Sequence, residues 1–181
     1  MRLTLSVLLL LLTTSASVPD APQAQQGASA QAAYISLADV QATVSRTPQA
    51  GVNPQPNIRV VDAGGYNIAV GAIHRPETPP GVAAVHFKVS EIYHVIDGAG
   101  TLVTGGTMIN AKQRPPDSES VMVEDGPGAS GTGIQGGVSR QIKAGDVVVI
   151  PAGVPHWFSE IKGSITYLVV RVDPARVLPV K

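Results

Sequence analysis

The chain has 181 residues, with 13 basic and 13 acidic side chains, and no segment gathers the basic ones into the stripe that nucleic acid or an anionic membrane surface demands. It contains no cysteine, which excludes disulfides, thiolate nucleophiles and cysteine-based zinc sites. Its length supports one domain with a real core rather than two.

The chain opens on "MRLTLSVLLLLLTTSAS". One basic residue, a mostly apolar run from Leu3 to Leu12 and then small residues have the order of a secretory signal, and the run is too short to span a bilayer. Residues 1–24 are assigned to this signal, with cleavage between Ala16 and Ala24, so the expected location is secreted or periplasmic, with no membrane contact after cleavage. Residues 25–34 are Ala- and Gln-rich and read as a disordered leader. Residues 35–181 form the expected single domain.

One helix is expected. "SLADVQATVSR" (36–46) offers Ser36 as N-cap, Asp39 in the first turn, and Leu37, Val40 and Val44 on one face. Beyond it, short Val- and Ile-rich runs alternate with Gly, Pro and Asp clusters, the pattern of an all-β fold. The expected strands cover 57–62, 66–74, 82–89, 91–96, 100–105, 120–123, 146–150 and 164–172. "DG" at 97–98 reads as a hairpin turn. Residues 106–144 read as a long surface excursion. Its glycine-rich "EDGPGASGTGIQGG" (124–137) is no phosphate loop, because no strand-to-helix step follows and no Lys-Ser/Thr closes it.

The two-residue period of a strand sorts the polar side chains. In 82–89, His86 shares a face with Ala84 and Lys88, while Val85, Phe87 and Val89 form a packing face. In 91–96, Glu91, Tyr93 and Val95 lie together, opposite Ile92, His94 and Ile96, so Glu91 and His94 cannot serve one site on a regular strand. His94 and the strand-end His74 are assigned structural or surface roles. "GDVVVIPAGVPHWF" (145–158) runs through four apolar residues into a bend made by Pro151, Gly153 and Pro155, and then delivers His156. Proline fixes φ and glycine frees it, so the bend is stiff and the histidine is placed. Trp157 and Phe158 read as packing residues.

Gly145, Pro151, Gly153 and His156 stand at the spacing of the second motif of the cupin superfamily, with Glu160 in place of its terminal Asn. His86, Glu91 and Gly98 stand at three positions of the first motif, whose first His position is Ala84 here and whose leading Gly is Thr78. The chain therefore resembles the cupins over roughly residues 60–172, with motif one at 84–98 and motif two at 145–160. The resemblance implies a cupin-type jelly-roll β-barrel, with the one short N-terminal helix added. It implies one divalent metal (Fe, Mn or Zn) held by His86, Glu91 and His156, with Ala84, Lys88 and Tyr93 as pocket candidates. Two imidazoles and a carboxylate with open positions suit non-haem Fe(II) and other divalent ions.

Two functions follow as alternatives. One is a metal-dependent enzyme, a dioxygenase or an isomerase, acting on a small polar molecule in the barrel. The other is a non-catalytic small-molecule-binding or structural cupin that has lost a full metal site, for which Ala84 is the best support. The resemblance also makes a homodimer an expected arrangement.

Overall fold

The computed structural model describes residues 32–45, 55–77 and 81–181. The expected signal and most of the expected leader lie outside the described residues.

The one helix among them, α1 (Leu37–Ser45), starts where the sequence indicates. Ser36 Oγ accepts the backbone N–H of Asp39 at 3.1 Å, and Asp39 returns a carboxylate to the Ser36 N–H at 2.9 Å. This reciprocal pair satisfies two orphan donors of the first turn. The expected apolar face is only partly used: Val40 and Val44 are half-buried, but Leu37 is exposed.

The remaining elements are strands: β1 (Asn57–Asp62), β2 (Asn67–Pro76), β3 (Ala83–His86), β4 (Ser90–Thr104), β5 (Thr107–Ile109), β6 (Lys112–Gln113), β7 (Gly128–Gly131), β8 (Gly133–Gln135), β9 (Val138–Lys143), β10 (Val147–Ile150) and β11 (His156–Asp173). All pairings are antiparallel. Nine strands share one sheet and β5 pairs β8 in a second. The large sheet is held by its two longest members. β11 pairs with β2 along its C-terminal half, with β4 along nearly its whole length, and with β3 at its first residue. One strand thereby joins both ends of the jelly roll.

The core fills the space that β4 and β11 enclose. Tyr93, Tyr167, Phe158, Ile165 and Val169 form its centre and are at most 7% exposed. Burying each such side chain contributes roughly 1.5–3 kcal/mol. Tyr93 and Tyr167 meet with ring centroids 4.5 Å apart, and Phe158 lies 5.8 Å from Tyr167.

Three expectations are corrected. Asp97–Gly98 is no hairpin turn, because β4 runs straight through it. Gly98 and Gly100 face Ile165 and Ile161 of β11, so the one residue between them on β4, Ala99, opposes Lys162, Gly163 and Ser164 in a bulge. Gly98 has φ +76°, and a Cβ there would collide with the carbonyl oxygen of Ser164. The glycine thus answers a close approach between strands rather than a chain reversal.

The 106–144 excursion is not a structureless loop either. It contributes β5 to β9, of which β7 pairs with β3 and β9 with β4. Its many glycines and short polar runs hide the two-residue period that reveals longer strands. The expected strand 120–123 is instead one wide helical turn, Ser120–Glu124. Its apolar residues Met122 and Val123 face solvent, and its buried residue is Glu124. With no apolar face packed, alternation has nothing to act on.

The bulge gives a direct test. Gly98→Ala should destabilise the protein by roughly 2–3 kcal/mol, since it combines a left-handed φ with a backbone collision. Gly163→Ala, at φ +76° in open space, should cost about 1 kcal/mol. Urea unfolding of the two variants checks the order; equal losses would mean that the approach of β4 to β11 is not tight.

Candidate metal centre

Glu91 lies at the start of β4 and is fully buried. Its carboxylate gathers the site. Oε2 accepts the Tyr93 hydroxyl at 2.8 Å and lies 3.4 Å from Nε2 of both His86 and His156. One atom from each of His86, Glu91 and His156 falls within 4.8 Å of the others. Two donors about 2.1 Å from one ion at a tetrahedral angle sit about 3.4 Å apart, so the spacing suits a shared cation.

Local structure explains how each imidazole arrives. β3 ends at His86, and the chain bends at Phe87 and Lys88 before β4. His156 opens β11 behind the bend 151–155, where Gly153 has φ +81°. That bend is stapled to the first motif: Gly153 N–H donates to the His86 carbonyl at 2.7 Å, and Ala152 N–H to Ser90 Oγ at 3.0 Å. The two histidines are thus tied through backbone as well as through Glu91. Their rings lie 5.1 Å apart.

The tautomers differ. His156 Nδ1 faces the Val154 carbonyl at 3.2 Å. A carbonyl only accepts, so Nδ1 carries the proton and Nε2 turns a lone pair toward Glu91. His86 Nδ1 faces Arg114 Nη2 at 3.1 Å. An arginine only donates, so this nitrogen accepts and the proton sits on Nε2, toward Glu91. Arg114 is ion-paired with Asp125, whose Oδ2 lies 3.7 Å from the same His86 nitrogen.

Glu91 Oε1 is occupied from the far side. Arg171 of β11, the cross-strand partner of Glu91, donates Nε–H at 2.9 Å. Its guanidinium also bonds Asn57 Oδ1 at 2.7 Å and Gln55 Oε1 at 3.0 Å. Burial alone would raise the Glu91 pKa, but its interactions with His86 and with the Arg171 charge overcome it and hold the carboxyl well below its usual range. Burial, and then the Glu91 charge, push the Tyr93 phenol well up, so it remains a donor. Burial lowers His156 to about 4 against the opposing pull of Glu91.

The structure brings His86, Glu91, His156 and Tyr93 together. Ala84 pairs in register with His156 and lies beside it on β3, half-buried. Lys88 is not brought in: β3 stops two residues earlier, the face parity that linked Lys88 to His86 lapses, and Lys88 is exposed. His94 is exposed, on the face opposite Glu91. His74 Nδ1 bonds Thr166 Oγ1 at 2.9 Å, away from the cluster. Phe158 is buried in the core, whereas half-buried Trp157 packs against a separate small cluster of Ala83, Val103 and Ile134.

Sequence reasoning missed Arg171, Arg114 and Asp125. Arg171 had a legible signal, since the period of its strand puts it on one face with Ile165, Tyr167 and Val169. Arg114 and Asp125 carried none, because they lie in the excursion.

The cupin family model, described as Cupin, matches residues 63–175. No curated protein sequence matches the chain. Among solved structures, BH2720 from Bacillus halodurans is 11% identical with a TM-score of 0.43, over 81% of this chain and 86% of that one. A conserved protein with a double-stranded β-helix domain from Klebsiella pneumoniae is 15% identical, TM-score 0.44, over 81% and 94%. Hydroquinone 1,2-dioxygenase from Sphingomonas sp. TTNP3, with 4-hydroxybenzoate bound, is 12% identical, TM-score 0.43, over 67% and 66%. Likenesses this distant say nothing of ligand or reaction.

The electrostatics fix how the metal-free protein answers acid. The folded His156 value of about 4 lies below the ordinary 6.5, so as pH falls the unfolded chain takes the proton first and stability drops. The loss begins near pH 6.5 and reaches about 3 kcal/mol by pH 4. Glu91, lowered in the fold, adds loss in the same direction below pH 4.5. Urea midpoints at pH 7.5 and 5 should differ by about 2 kcal/mol, and His156→Gln should remove most of that difference. A flat wild-type profile would mean that His156 is protonated in the fold.

Proposed function

The chain belongs to the cupin family, and from that premise we propose that it is an exported protein whose barrel holds one divalent metal through His86, Glu91 and His156. A small polar molecule binds beside the metal for oxidation or isomerisation. The observation that carries this reading is the pair of imidazole nitrogens, each 3.4 Å from one buried carboxylate oxygen. A divalent ion there supplies Lewis acidity, and redox chemistry where it is iron or manganese.

The surrounding residues have definite tasks. Arg171 holds Glu91 from behind and leaves Oε2 for the centre. Val154 fixes the His156 tautomer. Tyr93 donates to Glu91, and its raised pKa keeps that proton in place. His86 must move its proton from Nε2 to Nδ1 before it can ligate, and Asp125 is the nearby acceptor, with Arg114 giving way. Such outer partners commonly change metal affinity 10- to 100-fold, by order of magnitude.

One observation favours a second reading. Arg171 already supplies Glu91 with a counter-charge, so the carboxylate is neutralised without an ion. With Ala84 in the place of the family's first histidine, this supports a non-catalytic binding cupin.

Metal content of the untagged mature protein separates the two. Near one Fe, Mn or Zn per chain is expected, lost in His156→Ala and bound about tenfold more weakly in Asp125→Asn. Ala84→His, in register beside His156, should tighten binding. No metal after Fe(II), Mn(II) and Zn(II) are added back would leave the satisfied polar cluster as the answer. Export rests on residues 1–24, and a mature N-terminus between residues 17 and 25, read by mass spectrometry, is the expected outcome.

A further inference from the structure

The arginines that point into the protein are not alike. Arg171 and Arg114 each face a carboxylate, Glu91 and Asp125. Arg75 does not. It sits near the end of β2, one register step from Ile73 on the face that packs into the core, opposite Ile165 of β11. Its guanidinium carbon lies 5.6 Å from the Phe158 ring centre and 6.0 Å from that of Tyr167. Nε donates to the Tyr167 hydroxyl at 2.9 Å. Among the described residues no acidic side chain forms an ion pair with it, and its two terminal nitrogens have no hydrogen-bond acceptor. These nitrogens are not among the buried atoms left without partners, and the residue is half-buried, so they reach solvent.

Two guanidinium nitrogens that reach solvent and have no acceptor among the described residues are free to take an anion. The planar fork of an arginine matches a carboxylate in two parallel hydrogen bonds. The aromatic wall continues from Arg75 to the cluster: Tyr167 stacks on Tyr93, which meets His156 edge-on at 6.2 Å. The charge of Arg75 is felt at Tyr93, Glu91 and His156.

The geometry points to Arg75 as the anchor of a small organic carboxylate, taken by its terminal nitrogens where they reach solvent at the edge of the aromatic core. This names the class of molecule for the site proposed above, and it rests on that reading of the barrel as a ligand site. Binding to Arg75 needs no metal, so the two can fail separately.

The test uses the metal-free protein, followed by ¹⁵N NMR at the Arg75 Nε–H. Acetate and benzoate are titrated beside their neutral counterparts, acetamide and benzamide. A saturable shift with at least one carboxylate, weakened about tenfold or more in Arg75→Gln and partly kept in Arg75→Lys, is the expected result. Both variants should keep the wild-type metal content. Equal affinity for the acid and its amide, or equal affinity of wild type and Arg75→Gln, would overturn the anchor while leaving a barrel ligand site in place. No saturable binding of any of the four overturns it as well, and the metal content, read separately, then decides the metal centre. Arg75→Lys keeps the charge, so a folding defect confined to Arg75→Gln leaves the comparison intact.

Discussion

A carboxylate with no access to water must be neutralised where it stands, and in this protein Arg171 does so for Glu91. The two are cross-strand partners on β4 and β11. The pair fixes more than a charge balance. A slip of one residue between the strands would turn Arg171 outward and leave Glu91 buried and unpaired, a defect worth roughly 3–5 kcal/mol. A buried pair of this kind adds little net stability over an apolar packing, so its value lies in selecting one register. The same guanidinium reaches Asn57 and Gln55, and Gln55 N–H and Asn57 Nδ2 bind Glu124 in the wide turn. The excursion and the first strand are thereby referenced to the same carboxylate.

With Glu91 fixed, the histidines are placed from opposite directions by stiff backbone. His86 ends a four-residue strand clamped between β11 and β7. His156 follows a bend whose glycine hydrogen-bonds the His86 carbonyl. Neither imidazole depends on a free loop for its position, which is what a site needing sub-ångström placement requires. The residues around them are set by strands too, since Arg114 follows β6 and Asp125 precedes β7, the strand that pairs with β3.

The legible and illegible parts of the sequence divide along one physical line. Strands with one buried face announce themselves by alternation, so β1 and β2 lie nearly at their expected ends, and the apolar run Val147–Ile150 marks β10. The trio was legible because motif spacing survives where alternation does not. Short strands rich in glycine carry no period, and the whole group from β5 to β9 was read as loop. Asp-Gly has the look of a turn because local propensity cannot see that Gly98 pairs with the distant Ile165 of β11. Lys88 was placed by a parity that holds only while a strand continues. Arg171 is the instructive miss: a charge on the inward face of a strand is cheap only when a partner waits across the sheet, and Glu91 is that partner.

The charges inside the barrel bear on how metal and ligand would act together. His156 is neutral, Arg114 pairs with Asp125 and Arg171 with Glu91, while Arg75 has no ion-pair partner among the described residues. A divalent cation adds to its charge at a low local dielectric, and Arg75 opposes it. An anion on Arg75 removes the opposition. Each guest therefore improves the site for the other, and by linkage the effect is equal in both directions. A barrel built this way would hold a metal most firmly when the molecule beside it is negative.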